Sequence, residues 1–171
     1  MLQLIKDKQK ILMDREYINI ISDLLREQKV ISMRQYKQHF EVNCFDHCLY
    51  VSYNTYLICK KKGLDYISAA RAGLLHDLFL YDWRKRENGR KGLHAYTHGK
   101  EAAKQAETII KLNDKEKDMI TKHMWPVTLE MPKYKETFII IYVDKYFAIA
   151  EAFLKSDEIV INEKESANNR W

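Results

Sequence analysis

The sequence predicts an all-α, single-domain bundle of about six main helices. Three observations lead there. A chain of 171 residues is one domain on ordinary size and is long enough to bury a core. Five Gly and two Pro leave little material for the tight turns of a multi-stranded β fold. A hydrophobic fraction of 46% with 12% aromatic residues excludes a disordered chain, and the apolar residues recur at helical spacing.

The elements follow in chain order. Tyr17, Ile18, Ile21, Leu24 and Leu25 predict a first helix from near Asp14 to near Gln28, after which residues 29–42 lose periodicity and read as a connection. A second helix begins near Asp46, sets His47, Tyr50, Val51, Asn54 and Ile58 on one stripe, and stops at Lys62-Gly63, where glycine suits the C-terminal cap. Asp65 caps a third helix from Tyr66 to about Tyr81. Its Ala69, Ala70, Ala72 and Gly73 let neighbours approach closely, which marks it as the central, buried helix. Residues 82–96 form a polar loop of a length that is often functional. A fourth helix runs from Thr97 or His98 to Leu112. Asn113 with Glu116 forms a capping box for a fifth, which ends at Trp125-Pro126. A last helix covers about Tyr134 to Leu154, so the domain spans 1–155 and a polar tail occupies 156–171.

Charge and cysteine usage narrow the setting. The net charge of +5 comes from scattered residues, with knots at Lys60–Lys62 and at Arg84, Lys85, Arg86, Arg90 and Lys91. Such runs are ordinarily solvated faces, and no aromatic interleaving or zinc-finger spacing points to nucleic acid. Three cysteines at irregular spacing argue against a disulfide framework and for a reducing, cytoplasmic setting. Cys44 and Cys48 read as small packing residues. The charged N-terminus has no signal-length apolar core, and the run Phe138–Val143 is too short for a bilayer, so no membrane partner is expected.

The chemistry lies in polar groups placed where apolar ones belong. His76-Asp77 interrupts AGLLHDLFL, Asp144 interrupts FIIIYVDKYFAIA, His47 lies on an apolar stripe, and His123 shares a face with Met119 and Ile120. A lone inward histidine is usually a hydrogen-bonded core residue, and an HD dipeptide arises often by chance. Several together are different, because a buried carboxylate costs several kcal/mol unless a cation or strong donors compensate it. Imidazole and carboxylate suit iron, manganese or zinc. One shared divalent site would relieve both aspartates.

The order His47, His76-Asp77, Asp144 resembles the H…HD…D signature of HD-superfamily metal-dependent phosphohydrolases, over about residues 44 to 150. His98 in HGKEAA and His123 in ITKHMW resemble the extra ligands of the six-ligand subset, H…HD…H…H…D, which holds two metals. That resemblance implies an HD-type helical bundle in which His47, His76 and Asp144 serve one ion, His98 and His123 the other, and Asp77 both, as ligand and catalytic centre. The subset includes diadenosine-tetraphosphate hydrolases, HD-GYP cyclic-dinucleotide phosphodiesterases and mixed-valent di-iron oxygenases such as myo-inositol oxygenase. Here LFLYDW replaces the Gly and Lys that follow the doublet in the HD-GYP pattern, and the GYP element is absent, which argues against a cyclic dinucleotide.

The resemblance implies hydrolysis of a phosphate ester or anhydride, in a nucleotide or similar small metabolite, by water activated on one or two divalent ions. Lys145, Arg84 and His94 are the candidates for binding substrate, with His94 placed in the loop before the fourth helix. The rivals are a di-iron oxygenase with the same ligands and a non-catalytic signalling module, which would be expected to lose ligands. A homo-oligomer stays open.

Overall fold

The computed structural model describes residues 7–39, 42–83 and 93–150. The fold is all-α apart from one short antiparallel pair. Asp7 caps α1 (Lys8–Met13) by accepting from the backbone N–H of Gln9 and Lys10. Asp14 ends α1 and caps α2 (Arg15–Ile21) by accepting from Tyr17 N at 3.1 Å.

The first helix is shorter than its periodicity predicts, and a long-range contact explains why. Arg71 donates to the Ile20 carbonyl at 2.9 Å and clasps both oxygens of Asp23 at 2.7 and 2.8 Å. The chain then makes a 3₁₀ turn at Leu24–Arg26 instead of continuing the helix to Gln28. The expected connection over 29–42 also holds structure. It contains α3 (Gln28–Ser32), a 3₁₀ turn at Met33–Gln35, and β1 (Lys37–His39) paired antiparallel with β2 (Val42–Asn43). Val30 and Met33, three apart and fully buried, anchor it.

Asn43 caps α4 (Cys44–Lys61) by accepting from Asp46 N at 2.9 Å, two residues before the predicted start. The predicted end is where it was read. Gly63 has φ +64°, Gly63 N donates to Lys60 O, and Leu64 N donates to Cys59 O, a complete Schellman motif. Thirteen of the 18 residues of α4 are buried, so α4 is enclosed on nearly every side and shares the interior with the third helix.

That third helix, α5 (Tyr66–Leu75), begins at the Asp65 cap as predicted but ends six residues before Tyr81, so His76-Asp77 lies just beyond it. Its small residues do bring it close to α4. A Cβ on Gly73 would stand 2.5 Å from the Ser52 Cα, and Ser52 Oγ donates to Ala70 O at 2.6 Å while accepting from the buried Tyr17 hydroxyl at 2.8 Å.

α6 (His94–Glu107) lies earlier than predicted at both ends, and α7 (Asp114–Lys122) starts with the predicted Asn113–Glu116 capping box. A final helix, α8, runs over 135–150. Asp118 of α7 fastens the entry to α8. Its Oδ2 accepts from Thr137 Oγ1 at 2.6 Å and Lys133 N at 3.0 Å, while Oδ1 pairs with Lys122 at 2.6 Å. Among the described residues no helix is long and apolar enough to cross a membrane. The tail from 156, Arg84 and the basic knot after it lie outside the described residues.

Two predictions follow from these contacts. Gly73→Ala forces backbone apart at the α4–α5 crossing and should cost about 1–3 kcal/mol in urea denaturation. Asp118 is held below its ordinary value because donors from Lys122, Thr137 and Lys133 outweigh burial, which acts upwards. A depressed carboxylate stabilises the fold fully above its unfolded value of about 3.9, and that stabilisation is lost as pH falls through the lower folded value. Asp118→Asn should therefore destabilise the protein by about 1–3 kcal/mol near neutral pH and flatten the stability curve below about pH 4.

Candidate metal centre

Three helices and two helix ends deliver six polar side chains to one interior point. His47 comes from α4, His98 from α6 and Asp144 from α8, while His76-Asp77 follows α5 and His123 follows α7. All six are buried. They sort into two donor sets, His47, His76, Asp77 and Asp144 on one side and Asp77, His98 and His123 on the other, each able to hold a cation. These are the six residues that the sequence singles out.

Asp77 belongs to both sets and divides its oxygens between them. Oδ2 faces His76 Nε2 at 3.4 Å, whereas Oδ1 faces His98 Nε2 at 3.3 Å and His123 Nε2 at 3.4 Å. Asp144 Oδ1 stands between His47 Nε2 at 3.1 Å and His76 Nε2 at 3.5 Å. Donors sharing one ion at about 2.1 Å keep spacings of this size.

The imidazoles are locked in one tautomer. His76 Nδ1 donates to Gly73 O at 2.8 Å, His123 Nδ1 to Ile120 O at 2.8 Å, and His98 Nδ1 to His94 O at 2.7 Å. A carbonyl can only accept, so each of these Nδ1 atoms carries a hydrogen and each Nε2 is the nitrogen left facing inward. His76 and His123 do this as the C-caps of α5 and α7, each bonding the carbonyl three residues back. The result is a specific demand for positive charge. His98 Nε2 and His123 Nε2 lie 2.7 Å apart, so two neutral rings would oppose lone pairs. His76 Nε2 is buried and makes no hydrogen bond. A cation in each set answers both features.

Electrostatics point the same way. Burial pushes Asp77 up, but the charge of His76 with the contacts of His123 and His98 holds it well below the ordinary carboxylate range. Asp144 behaves alike, with His47 and His76 outweighing burial. Burial pushes His76 down, and Asp77, Cys48 and Asp144 more than reverse it. Burial lowers His98, which Asp77 only partly offsets, so this ring stays a neutral donor.

Several supporting residues escape sequence reading. Cys44, read as packing, is buried as expected and also donates its S–H to Asp77 O at 3.2 Å. A Cβ on Gly99 would press on Thr121 O at 2.9 Å and on Ile120 O, the acceptor of His123, at 3.0 Å. A glycine directly after a candidate histidine was the available signal.

The three residues proposed to bind substrate fare differently. Lys145 is half-buried and lines the cavity above the cluster, with burial lowering its value and Asp144 partly restoring it. His94 is not in a loop. It opens α6, one helical turn before His98, because the helix starts three residues earlier than its apolar pattern suggests. It stacks on His98 (4.4 Å, 20°) and Trp83 (5.4 Å, 15°), and its Nδ1 meets the Tyr81 hydroxyl at 3.2 Å. Arg84 lies outside the described residues. Trp83, which the sequence did not single out, lines the same cavity.

Residues 44–149 match the HD domain family. Comparison with curated proteins and with solved structures gave no match.

The two donor sets predict distinct losses. Elemental analysis should find both ions gone in Asp77→Ala, one gone in His98→Ala, and neither gone in His94→Ala. Full occupancy in the Asp77 variant would refute the shared carboxylate.

Proposed function

The chain belongs to the HD domain family, whose members are in general metal-dependent phosphohydrolases, and from that premise we propose that it hydrolyses a phosphate ester or anhydride of a nucleotide or similar small metabolite. The observation that carries this reading is the divided Asp77 carboxylate, which serves a donor set on each side. In this reading His47, His76 and Asp144 hold one ion, His98 and His123 the other, and Asp77 both, with iron or manganese favoured by the mixed imidazole and carboxylate donors and zinc also compatible. Bound ions would supply a hydroxide at neutral pH and take up charge on the phosphoryl oxygens.

The protein's own groups do the rest. Helix caps and carbonyl bonds fix the imidazoles before substrate arrives, so little reorganisation is needed. Asp77 is held ionised although it is buried, as a bridging donor must be. Lys145 stands at the cavity wall, where its ammonium group would meet a substrate phosphate. The basic run from Arg84 to Lys91 follows Trp83 directly in sequence.

The reaction class is tested by assaying phosphomonoesters, dinucleoside polyphosphates and cyclic nucleotides with manganese or iron(II), in air and under nitrogen. Phosphate or nucleotide release in both atmospheres is expected, reduced more than about 100-fold by His76→Ala. Oxygen uptake coupled to product, with no turnover under nitrogen, would instead identify a di-iron oxygenase.

A further inference from the structure

Beside the candidate metal cluster lies a cavity of about 200 Å³, reached between the start of α6, the end of α7 and α8. Its floor is made by Asp77, His98, His123 and Asp144, and its remaining described lining is chemically plain. Lys145 contributes the ammonium group. Trp83, His94, Ala95, Met124 and Ala148 supply the rest. The hydrogen-bonding groups of those five side chains are the Trp83 indole N–H and the His94 imidazole, both on rings. Among the described residues, discrimination there comes chiefly from shape and from ring contact.

The ring contact is built in. Trp83, His94 and His98 stand in near-parallel sequence, at 15° and 20° between successive planes, so an aromatic wall leads from the cavity to a candidate ligand of the cluster. The Tyr81 hydroxyl at 3.2 Å from His94 Nδ1 fixes the middle ring, and Phe79 packs edge-on against it at 4.8 Å. A wall held in this way is preorganised for a flat or apolar group. Lys145, the ammonium group among the described lining residues, and a space of about 200 Å³ suit a phosphoryl group with a compact substituent.

Resting on the phosphohydrolase reading above, we propose that the substrate is a phosphomonoester with a compact aromatic or apolar organic part, packed against Trp83. Trp83 is then the specificity-determining residue, while Lys145 serves any phosphoryl group alike.

The test is calorimetric binding of two non-hydrolysable probes, phenylphosphonate and methylphosphonate, to the manganese-loaded full chain, with adenosine diphosphate as the polyphosphate arm. Phenylphosphonate should bind about 10-fold more tightly than methylphosphonate, the fold-change of one good ring contact. Trp83→Ala should erase that difference and leave methylphosphonate unchanged, Trp83→Phe should keep it, and Lys145→Ala should weaken both probes equally. Manganese content measured on each variant separates loss of contact from loss of the cluster. Equal binding of the two phosphonates, or tighter binding of adenosine diphosphate than of phenylphosphonate, would overturn the proposal while leaving phosphohydrolysis standing. Failure of every probe to bind, with no hydrolysis of any ester, would overturn both.

Discussion

Asp77 and Asp144 are buried carboxylates held ionised, and the surrounding structure is organised around compensating them. Each would cost several kcal/mol if left alone. The compensation comes from imidazoles drawn from across the sequence, residues 47, 76, 98 and 123, so it exists only when α4, α5, α6, α7 and α8 are all in place. Fold and site are therefore coupled, and the same contacts that neutralise the carboxylates also shape two donor sets. Removing one partner of such a cluster is more damaging than replacing the whole by apolar groups, so single-ligand variants should lose stability as well as metal binding.

Bringing five helices to one point requires close approaches, and two glycines beside the cluster allow them. Gly73 sits on the backbone of Ser52 at the α4–α5 crossing, and its own carbonyl orients His76. Gly99 follows His98 and rests on Ile120 O, the carbonyl that orients His123. In each case the absent side chain and the oriented ring share a single peptide. A methyl group added there would act on the donor geometry as well as on helix packing.

Much of this was legible in the sequence, and the failures have definite physical causes. Five of the candidate ligands stood out as ionisable groups in apolar runs or on apolar faces, His98 was reached through the H…HD…H…H…D resemblance, and the caps at Asp65, Asn113 and Gly63 were local signals that the structure reproduces. Helix ends set by distant residues were not legible. α2 stops where Arg71, fifty-one positions from Ile20, takes a carbonyl out of the helix, and no local pattern encodes that. α5 stops at Leu75 because His76 caps it, although the apolar run continues to Leu80 and reads as helix. The same bias placed His94 in a loop, since the first turn of α6 has no apolar residue buried against the core and no side-chain cap to announce it.

The cap role of two histidines joins these points. The last carbonyls of a helix have no partner within it, and together with the backbone dipoles they make that end negative. His76 and His123 each occupy the C-cap of their helix and return Nδ1 to a last-turn carbonyl at the same 2.8 Å. One bond thus ends the helix, satisfies an orphan acceptor, selects the tautomer and aims Nε2 at the cluster. It also turns the negative ends of α5 and α7 towards the place where positive charge is wanted. A histidine near a helix start could supply the ring, as His47 does, but it could not add the negative helix terminus. The doublet interrupts its apolar run because the helix has to stop there for the site to exist.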